Sequence, residues 1–308
     1  MAEMKDIQWF PGHMTKTRRM IQANLSLVDG VVEILDARIP MSSRNPEMDR
    51  LVKGKPRMLI LNKADMADSN ATEKWISFYK KKGFTVIKCN CKTGDGTKNF
   101  LPAVKNQMLK ELMDKRCAKG IEGAPLRLMI VGIPNVGKSS FINRMAKSKK
   151  AKVEDRPGVT RTKQWVKLGE NVEMLDMPGV LWPKFEDQEV ARKLAFTGAV
   201  KDDILDKEAL ASYLLENLAD NYGKALTERY KVEIPEKAED DFAVLSEIAR
   251  GFEILENVGR KRGMLISGGE VNTERAAITV LDEFRSGKLG NITLELPKNT
   301  EENDESAV

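Results

Sequence analysis

The sequence contains few of the residues that stabilise secreted proteins or build metal clusters. Only three of its 308 residues are cysteine, and only one is histidine. Cys89, Cys91 and Cys117 are too few for a disulfide framework, and their spacing is poor for a zinc site. A reducing compartment, the cytoplasm, is therefore the expected location.

Long apolar runs and a strong charge bias are also missing. No stretch approaches the roughly 20 apolar residues that a membrane-spanning helix requires, and the first ten residues lack the apolar core of a secretory signal. The net charge of +5 arises from 51 basic and 46 acidic residues, which is too mild to indicate nucleic-acid binding by itself. Hydrophobic residues at 41% and charged residues at 31% are typical of globular proteins.

Short apolar runs alternate with helical patterns through the first 185 residues. This alternation predicts an α/β fold with a mostly parallel sheet and helices on both faces. The predicted strands cover residues 31–35, 58–61, 84–88, 126–131 and 172–175, and the predicted helices cover 70–82, 99–115 and 139–146. Two glycines and a proline within residues 117–125 indicate a linker.

Helical patterns alone continue after about residue 186. They cover residues 191–199, 207–218, 242–255 and 273–286. Asp206 is the expected N-cap of the second of these helices, and either Asn272 or Thr273 is the expected N-cap of the last. We predict a first domain over residues 1–185, a small, mainly helical domain over 186–296, and an acidic, disordered tail over 297–308.

A phosphate-binding pattern follows the strand predicted over residues 126–131. Residues 132–139, Gly-Ile-Pro-Asn-Val-Gly-Lys-Ser, match G-x-x-x-x-G-K-[ST], in which backbone N–H groups cradle phosphate oxygens. Lys138 would neutralise charge between the β- and γ-phosphates, and Ser139 would offer its hydroxyl to Mg²⁺. The residues of this loop predicted to bind nucleotide are Asn135, Val136, Gly137, Lys138, Ser139 and Ser140.

Two further segments fit the switches of a nucleotide hydrolase. Asp176 and Gly179 form D-x-x-G after the strand over 172–175, where Asp176 suits a water-mediated Mg²⁺ contact and the Gly179 N–H suits the γ-phosphate. Between these patterns lies a Pro-Gly turn followed by Thr160 and Thr162. A threonine there could bind both Mg²⁺ and the γ-phosphate, and Thr160 is favoured over Thr162 because it lies closer to the turn.

A base-recognition pattern occurs earlier in the chain, at the end of the strand over 58–61. Residues 62–65, Asn-Lys-Ala-Asp, match N-K-x-D, and ligands of open α/β sheets bind at such strand ends. The Asp65 carboxylate can accept hydrogen bonds from N1–H and N2–H₂ of guanine, a donor pair that adenine lacks. Lys63 could lie along the purine plane, and Asn62 could brace the loop. GTP is therefore predicted over ATP.

One strand later, Asn90, Cys91 and Lys92 resemble the Ser-Ala-Lys loop with which Ras-like GTPases contact guanine. Asn90 replaces the serine, so the match is looser. Cys91, with Cys89, is interpreted as a small packing residue rather than a reactive thiol. The base patterns precede the phosphate patterns, which reverses the usual order. Moving the first block to the end restores that order, and we therefore predict a circularly permuted Ras-like P-loop GTPase domain.

The chain resembles the circularly permuted GTPases, and among them those of bacterial ribosome biogenesis. The resemblance rests on Trp-Phe-Pro-Gly-His-Met at 9–14, Asp-Ala-Arg-Ile-Pro at 36–40, Leu-Trp-Pro-Lys at 181–184 and Arg-Lys-Arg-Gly at 260–263. It implies Mg²⁺-dependent GTP hydrolysis coupled to late assembly of the large (50S) ribosomal subunit, with rRNA as a partner and neither membrane nor DNA. The alternatives are a nucleotide-dependent RNA-binding adaptor, or a permuted GTPase serving another RNA particle or translation step.

The catalytic group is less well defined by the sequence. Val180 occupies the position of the glutamine that orients water in Ras-like enzymes, and its side chain cannot hydrogen-bond. The resemblance implies His13 as the substitute; the alternative is a histidine that fastens the N-terminal segment. Asn135 could help to hold K⁺ beside the phosphates, or it could only stabilise the turn.

Basic clusters are candidate RNA contacts. The run Arg260, Lys261 and Arg262 is the preferred one, through neutralisation of phosphate charge. A second group of lysines lies within residues 147–152. For either cluster the alternative is a solvated face.

Overall fold

The computed structural model describes residues 6–121, 123–146, 164–168, 171–237 and 248–297. Several sequence predictions lie outside these described residues: Thr160 and Thr162, the lysine group within 147–152, and residues 298–308 of the acidic tail.

The described residues form one six-stranded sheet with the order β3-β2-β1-β4-β6-β5. The strands are β1 Gly30–Asp36, β2 Arg57–Asn62, β3 Thr85–Lys88, β4 Leu126–Gly132, β5 Gln164–Leu168 and β6 Val172–Asp176. Neighbouring strands are parallel except β5 and β6, which are antiparallel. The mostly parallel sheet is therefore confirmed.

Apolar side chains cover both faces of this sheet. Met58 and Ile60 of β2 enter the larger hydrophobic cluster, whereas Leu59 and Leu61 enter a second cluster. Since successive side chains of a strand point to opposite faces, the two clusters lie on opposite sides. This double burial explains why the central strands are near-continuous apolar runs.

The helices agree with the sequence in most places. They are α1 Gly12–Asn24, α2 Met48–Leu51, α3 Ser69–Lys81, α4 Phe100–Ala103, α5 Lys110–Ala118, α6 Lys138–Met145, α7 Gln188–Phe196, α8 Lys207–Tyr230, α9 Ala249–Lys261 and α10 Thr273–Arg285. Asp206 caps α8 by accepting from the Ala209 N–H, and Asn272, rather than Thr273, caps α10 by accepting from the Arg275 N–H.

Three helix predictions needed correction. The helix predicted over 99–115 is divided, because a π-helical turn at Val104–Met108 separates α4 from α5. The helix predicted over 207–218 continues to Tyr230, with non-helical dihedral angles at Tyr222. The helix predicted over 242–255 continues to Lys261 as Ala249–Lys261, and its first residues, 242–247, lie outside the described ranges.

The end of the described chain returns to the sheet. The Ile292 N–H donates to the Met66 carbonyl at 2.9 Å, and the Leu294 N–H donates to the Arg38 carbonyl at 2.8 Å. The Trp75 indole N–H donates to the Glu295 carbonyl at 2.9 Å. The larger hydrophobic cluster also includes residues from both halves of the chain. The division at residues 185 and 186 stays a prediction.

None of the helices in the described part of the chain combines the length and apolar character needed to cross a membrane.

Candidate nucleotide-binding and active site

The predicted loops meet because their strands run in the same direction. Asp36 and Asn62, which end β1 and β2, are register partners, as are Ile34 and Gly132. Asp176 ends β6, next to β4. The carboxyl ends of parallel strands share one edge of a sheet, so base and phosphate loops that lie about 70 residues apart in the sequence become neighbours here.

The Asn62 side chain connects three of these loops. Its Nδ2 donates to the Val136 carbonyl at 2.7 Å, and its Oδ1 accepts from the Cys91 N–H at 2.9 Å. Asn62 is almost fully buried, at 3% exposure. Gly137 is required beside it, because φ is +102° there and a Cβ would collide with the Asn62 amide. These hydrogen bonds to Val136 and Cys91 show how Asn62 can brace the loop.

The phosphate loop is shaped by residues with positive φ. Gly132, Asn135 and Gly137 have φ of +151°, +55° and +102°, a region that glycine and, less often, asparagine tolerate. The first turn of α6 follows at Lys138, so its N–H groups and the positive end of its dipole face the loop. This arrangement suits an anion such as a triphosphate.

Lys138 is folded over this loop. Its Nζ donates to the Ile133 carbonyl at 2.9 Å and to the Gly132 carbonyl at 3.3 Å. Burial lowers the pKa of Lys138 to about 8, although the nearby Asp176 carboxylate opposes that shift. Phosphate oxygens would be far better partners than carbonyls for a buried ammonium group, so the residue is positioned to respond to a nucleotide.

Asp176 fits a magnesium site. It is 4% exposed, and its Oδ1 has no hydrogen-bond partner within the described ranges. Burial raises the pKa of Asp176 to about 6, whereas Lys138 and the Met177 N–H oppose the rise. A buried oxygen without a partner is unfavourable, and a Mg²⁺-bound water would supply one. Ser139, in the first turn of α6, is the other described residue of the predicted set.

The oxygen ligands offered by Asp176 and Ser139 also suit Mg²⁺. No group of three or more His, Cys, Asp or Glu residues that could hold a metal occurs in the described ranges. Magnesium commonly takes only one or two protein oxygens and completes its shell with water and substrate phosphates. One carboxylate and one hydroxyl are therefore sufficient for a nucleotide-bound Mg²⁺.

The D-x-x-G segment lies against the phosphate loop. A Cβ on Gly179 would lie 2.8 Å from both the Cα and the N of Pro134, and 3.1 Å from the Lys138 Nζ. The Val180 N–H donates to the Gly132 carbonyl at 3.2 Å. Val180 is 1% exposed. Its buried apolar side chain cannot orient a water molecule, as the sequence predicted.

The second base loop is organised by Asn90. Its Oδ1 accepts from the N–H groups of Lys92 at 2.8 Å and Thr93 at 3.1 Å, which is the geometry of an Asx turn. The hydrogen bond with Cys89 and burial both raise the pKa of Cys91. Such a thiol is unreactive. Lys92 and, in the first base loop, Asp65 are exposed.

Sequence reasoning did not assign a role to Asp36 and Arg38. The Lys63 Nζ donates to Asp36 Oδ2 at 2.9 Å, and Arg38 binds both oxygens of Asp36, at 2.9 and 2.8 Å. Burial favours a higher pKa for Asp36, but Arg38 and Lys63 outweigh it and hold that pKa well below its usual range. Arg38 also donates to the Phe284 carbonyl of α10 at 3.1 Å. The base loop is thus linked to the last helix.

The phosphate loop has its own link to the helical part. The Asn135 Nδ2 donates at 2.8 Å to the carbonyl of Gly198, just beyond the end of α7. Asn135 therefore connects the phosphate loop to the residues that follow α7. A role in K⁺ binding stays a prediction.

The remaining candidates are surface residues or fall outside the described ranges. His13 is exposed in the first turn of α1. Arg260 and Lys261 are exposed near the end of α9. Arg262 makes contacts within the fold: its Nη2 lies 3.5 Å from Glu283 Oε1, and its guanidinium lies over the ring of Tyr230. Thr160 cannot be placed, because it falls outside the described residues.

The order of these parts along the chain defines the class of protein. The base loops follow β2 and β3, whereas the phosphate loop and D-x-x-G follow β4 and β6, yet all meet at one edge of one sheet. This is the arrangement of a circularly permuted P-loop GTPase.

Comparisons with known proteins agree. A family model described as "50S ribosome-binding GTPase" matches residues 127–228. The chain is 47% identical to ribosome biogenesis GTPase A of Bacillus cereus, over 95% of this chain and 94% of the relative. It is also 47% identical to ribosome biogenesis GTPase A of Bacillus licheniformis, over 95% of this chain and 99% of the relative. The GDP-bound structure of YlqF from T. maritima matches with a TM-score of 0.65 at 29% identity, over 91% of this chain and all of that chain.

The chain belongs to the ribosome biogenesis GTPase A family, and it is a GTP hydrolase. The predicted fold class and enzyme class are confirmed. GTPases of this kind use Mg²⁺ with the nucleotide.

Proposed function

We propose that this GTPase acts as a nucleotide switch in late assembly of the large (50S) ribosomal subunit, where it binds rRNA. The observation that carries the proposal is the Asn62 side chain, which joins the guanine motif to the phosphate loop and so favours one composite GTP site. The names of the relatives, which refer to ribosome biogenesis, support the choice of partner.

In the proposed site, Asp65, Lys63 and the loop from Asn90 to Lys92 recognise guanine. Lys138 moves from the carbonyls of its own loop to the phosphates, and the Gly179 N–H binds the γ-phosphate. Ser139, Thr160 and Asp176 would hold the nucleotide-bound Mg²⁺, which would neutralise charge on the phosphates. His13 orients the attacking water, since Val180 is buried and apolar.

The proposed output is a change in the helical part of the chain. Residues 179–187 lead into α7, and Asn135 donates to the Gly198 carbonyl just after α7. Loss of the γ-phosphate would release Gly179 and alter both links. The cytoplasm is the proposed location, since the proposed partner assembles there.

Arg260 and Lys261 are the proposed rRNA contacts, because both are exposed. Exchanging both for alanine should reduce subunit binding. The slope of log affinity against log salt concentration should become shallower by about two, one for each lost phosphate contact. Exchanging Lys80 and Lys81, also exposed, removes the same charge elsewhere and should have little effect.

The test of the proposed function is co-sedimentation with purified ribosomal subunits. Binding to large subunits that is stronger with a GTP analogue than with GDP, together with stimulated GTP turnover, is the expected result. Equal binding with both nucleotides would contradict a switch. Binding without any stimulated turnover would favour the RNA-binding adaptor, and preference for another RNA particle would favour the other alternative. Turnover in KCl and in NaCl tests the proposed K⁺ role of Asn135.

A further inference from the structure

The N-terminal segment is attached to the chain that follows the switch. The Gln8 Nε2 donates to the Phe185 carbonyl at 3.1 Å, and the Phe185 N–H donates to the Gln8 Oε1 at 3.2 Å. One side-chain amide thus pairs with both backbone groups of a residue six positions after Gly179. Next to it, the Ile7 N–H donates to the Gln188 Oε1 at 2.8 Å.

The stretch between this attachment and His13 is short and packed. Trp9 and Phe10 are partly buried against the larger hydrophobic cluster. Pro11 precedes α1, whose first turn contains His13 and the fully buried Met14. The stretch from Gln8 to His13 is therefore packed against the fold and is not a loose linker.

A second attachment lies beyond His13 on the same helix. Arg18 pairs with Glu47 at 2.7 Å. The Glu47 N–H donates to the Asn45 Oδ1, and the Asn45 Nδ2 donates to the Val180 carbonyl at 3.4 Å. Both flanks of His13 thus lead to the segment immediately after Gly179.

We propose that Gln8 is a positioning residue that couples the location of His13 to the nucleotide switch through Phe185. When the γ-phosphate shifts Gly179, residues 180–185 shift with it, and the amide pair moves the N-terminal segment. Only the kinetic part of the test rests on the catalytic role proposed for His13; the coupling itself is an independent claim about structure.

The coupling can be observed directly, because His13 is the sole histidine of the sequence. In untagged protein its imidazole Cε1–H gives one NMR signal of that type. We expect this signal to differ between the GDP and GTP-analogue complexes of the parent protein. Gln8→Ala should abolish the difference without changing nucleotide affinity. As a control, Gln22→Ala removes an exposed amide from α1, the helix that contains His13, and should preserve the difference between the two complexes.

Two results would overturn the proposal: the same His13 signal with both nucleotides in the parent protein, or a difference that survives Gln8→Ala. Gln8→Glu keeps an acceptor for the Phe185 N–H but cannot donate to its carbonyl, so it should retain part of the difference.

Kinetics separate this proposal from the catalytic role of His13. Two neutral hydrogen bonds are lost in Gln8→Ala, and we expect subunit-stimulated kcat to fall about tenfold, which is ~1.4 kcal/mol, with unchanged KM. The double variant Gln8→Ala/His13→Ala should turn over no more slowly than His13→Ala alone. Additive losses would contradict action through His13. Full turnover by His13→Ala would instead remove His13 from the proposed mechanism, while the NMR result would still decide the coupling.

Discussion

Replacing Arg38 with methionine tests the buried link between the guanine loop and α10. The side chains of Arg38 and Asp36 are each only 1% exposed. Methionine preserves most of the apolar volume but removes the two bonds to Asp36 and the bond to the Phe284 carbonyl. Lys63 remains as a cationic partner of Asp36.

The expected loss of stability is large. Breaking a buried ion pair by removing one partner costs about 3–5 kcal/mol. Because Lys63 still neutralises part of the Asp36 charge, we expect the lower end, about 3 kcal/mol. The matched control is Arg18→Met, whose pair with Glu47 has exposures of 23% and 20% and should contribute about 1 kcal/mol or less.

Urea denaturation of nucleotide-free protein, followed by circular dichroism, measures both losses. The double variant Asp36→Asn/Arg38→Met should recover part of the loss, because it no longer leaves a buried carboxylate short of partners. A loss for Arg38→Met no greater than that for Arg18→Met would refute the assignment of a stabilising link, as would a double variant less stable than either single one.

Three other substitutions test the site. Asp65→Ala should weaken GTP binding by about 1.5–3 kcal/mol, the value of a hydrogen bond to a charged group, and leave ATP binding unchanged in calorimetric titrations; equal losses for both would contradict base recognition. Asp176 has a pKa raised to about 6, so the parent protein loses stability as the pH rises through that value and the buried carboxyl becomes charged. Asp176→Asn has no carboxyl to ionise and should not lose this stability. Nucleotide-free Asp176→Asn should thus be more stable than the parent at pH 8, by about 3 kcal/mol, and not at pH 4; a difference independent of pH would argue against the raised pKa. Gly179→Ala places a methyl group 2.8 Å from the Pro134 backbone and should reduce the preference for a GTP analogue over GDP; an unchanged ratio of the two affinities would show that this contact does not sense the γ-phosphate.

Elements with strong local patterns could be predicted from the sequence. The central strands are short apolar runs because the sheet is buried on both faces, and the caps at Asp206 and Asn272 follow from their short polar side chains. The loops were recognisable because phosphate and guanine binding restrict residue types at fixed spacing.

Other features depend on contacts that local patterns do not encode. Helix α1 was not predicted, since only a few apolar residues lie among its polar ones, although its buried Met14, Thr17, Ile21 and Asn24 do repeat at helical spacing. The bond from Arg38 to Phe284 joins residues 246 positions apart. The bond from Asn135 to Gly198 also arises only when the chain is folded.

The most direct test of a composite GTP site is a crystal structure of this chain with GDP and Mg²⁺. The account predicts a single nucleotide with N1 and N2 of guanine within hydrogen-bond distance of the Asp65 carboxylate, and with the β-phosphate surrounded by the N–H groups of residues 133–138. A nucleotide held by the phosphate loop but with its base remote from Asp65 would contradict it.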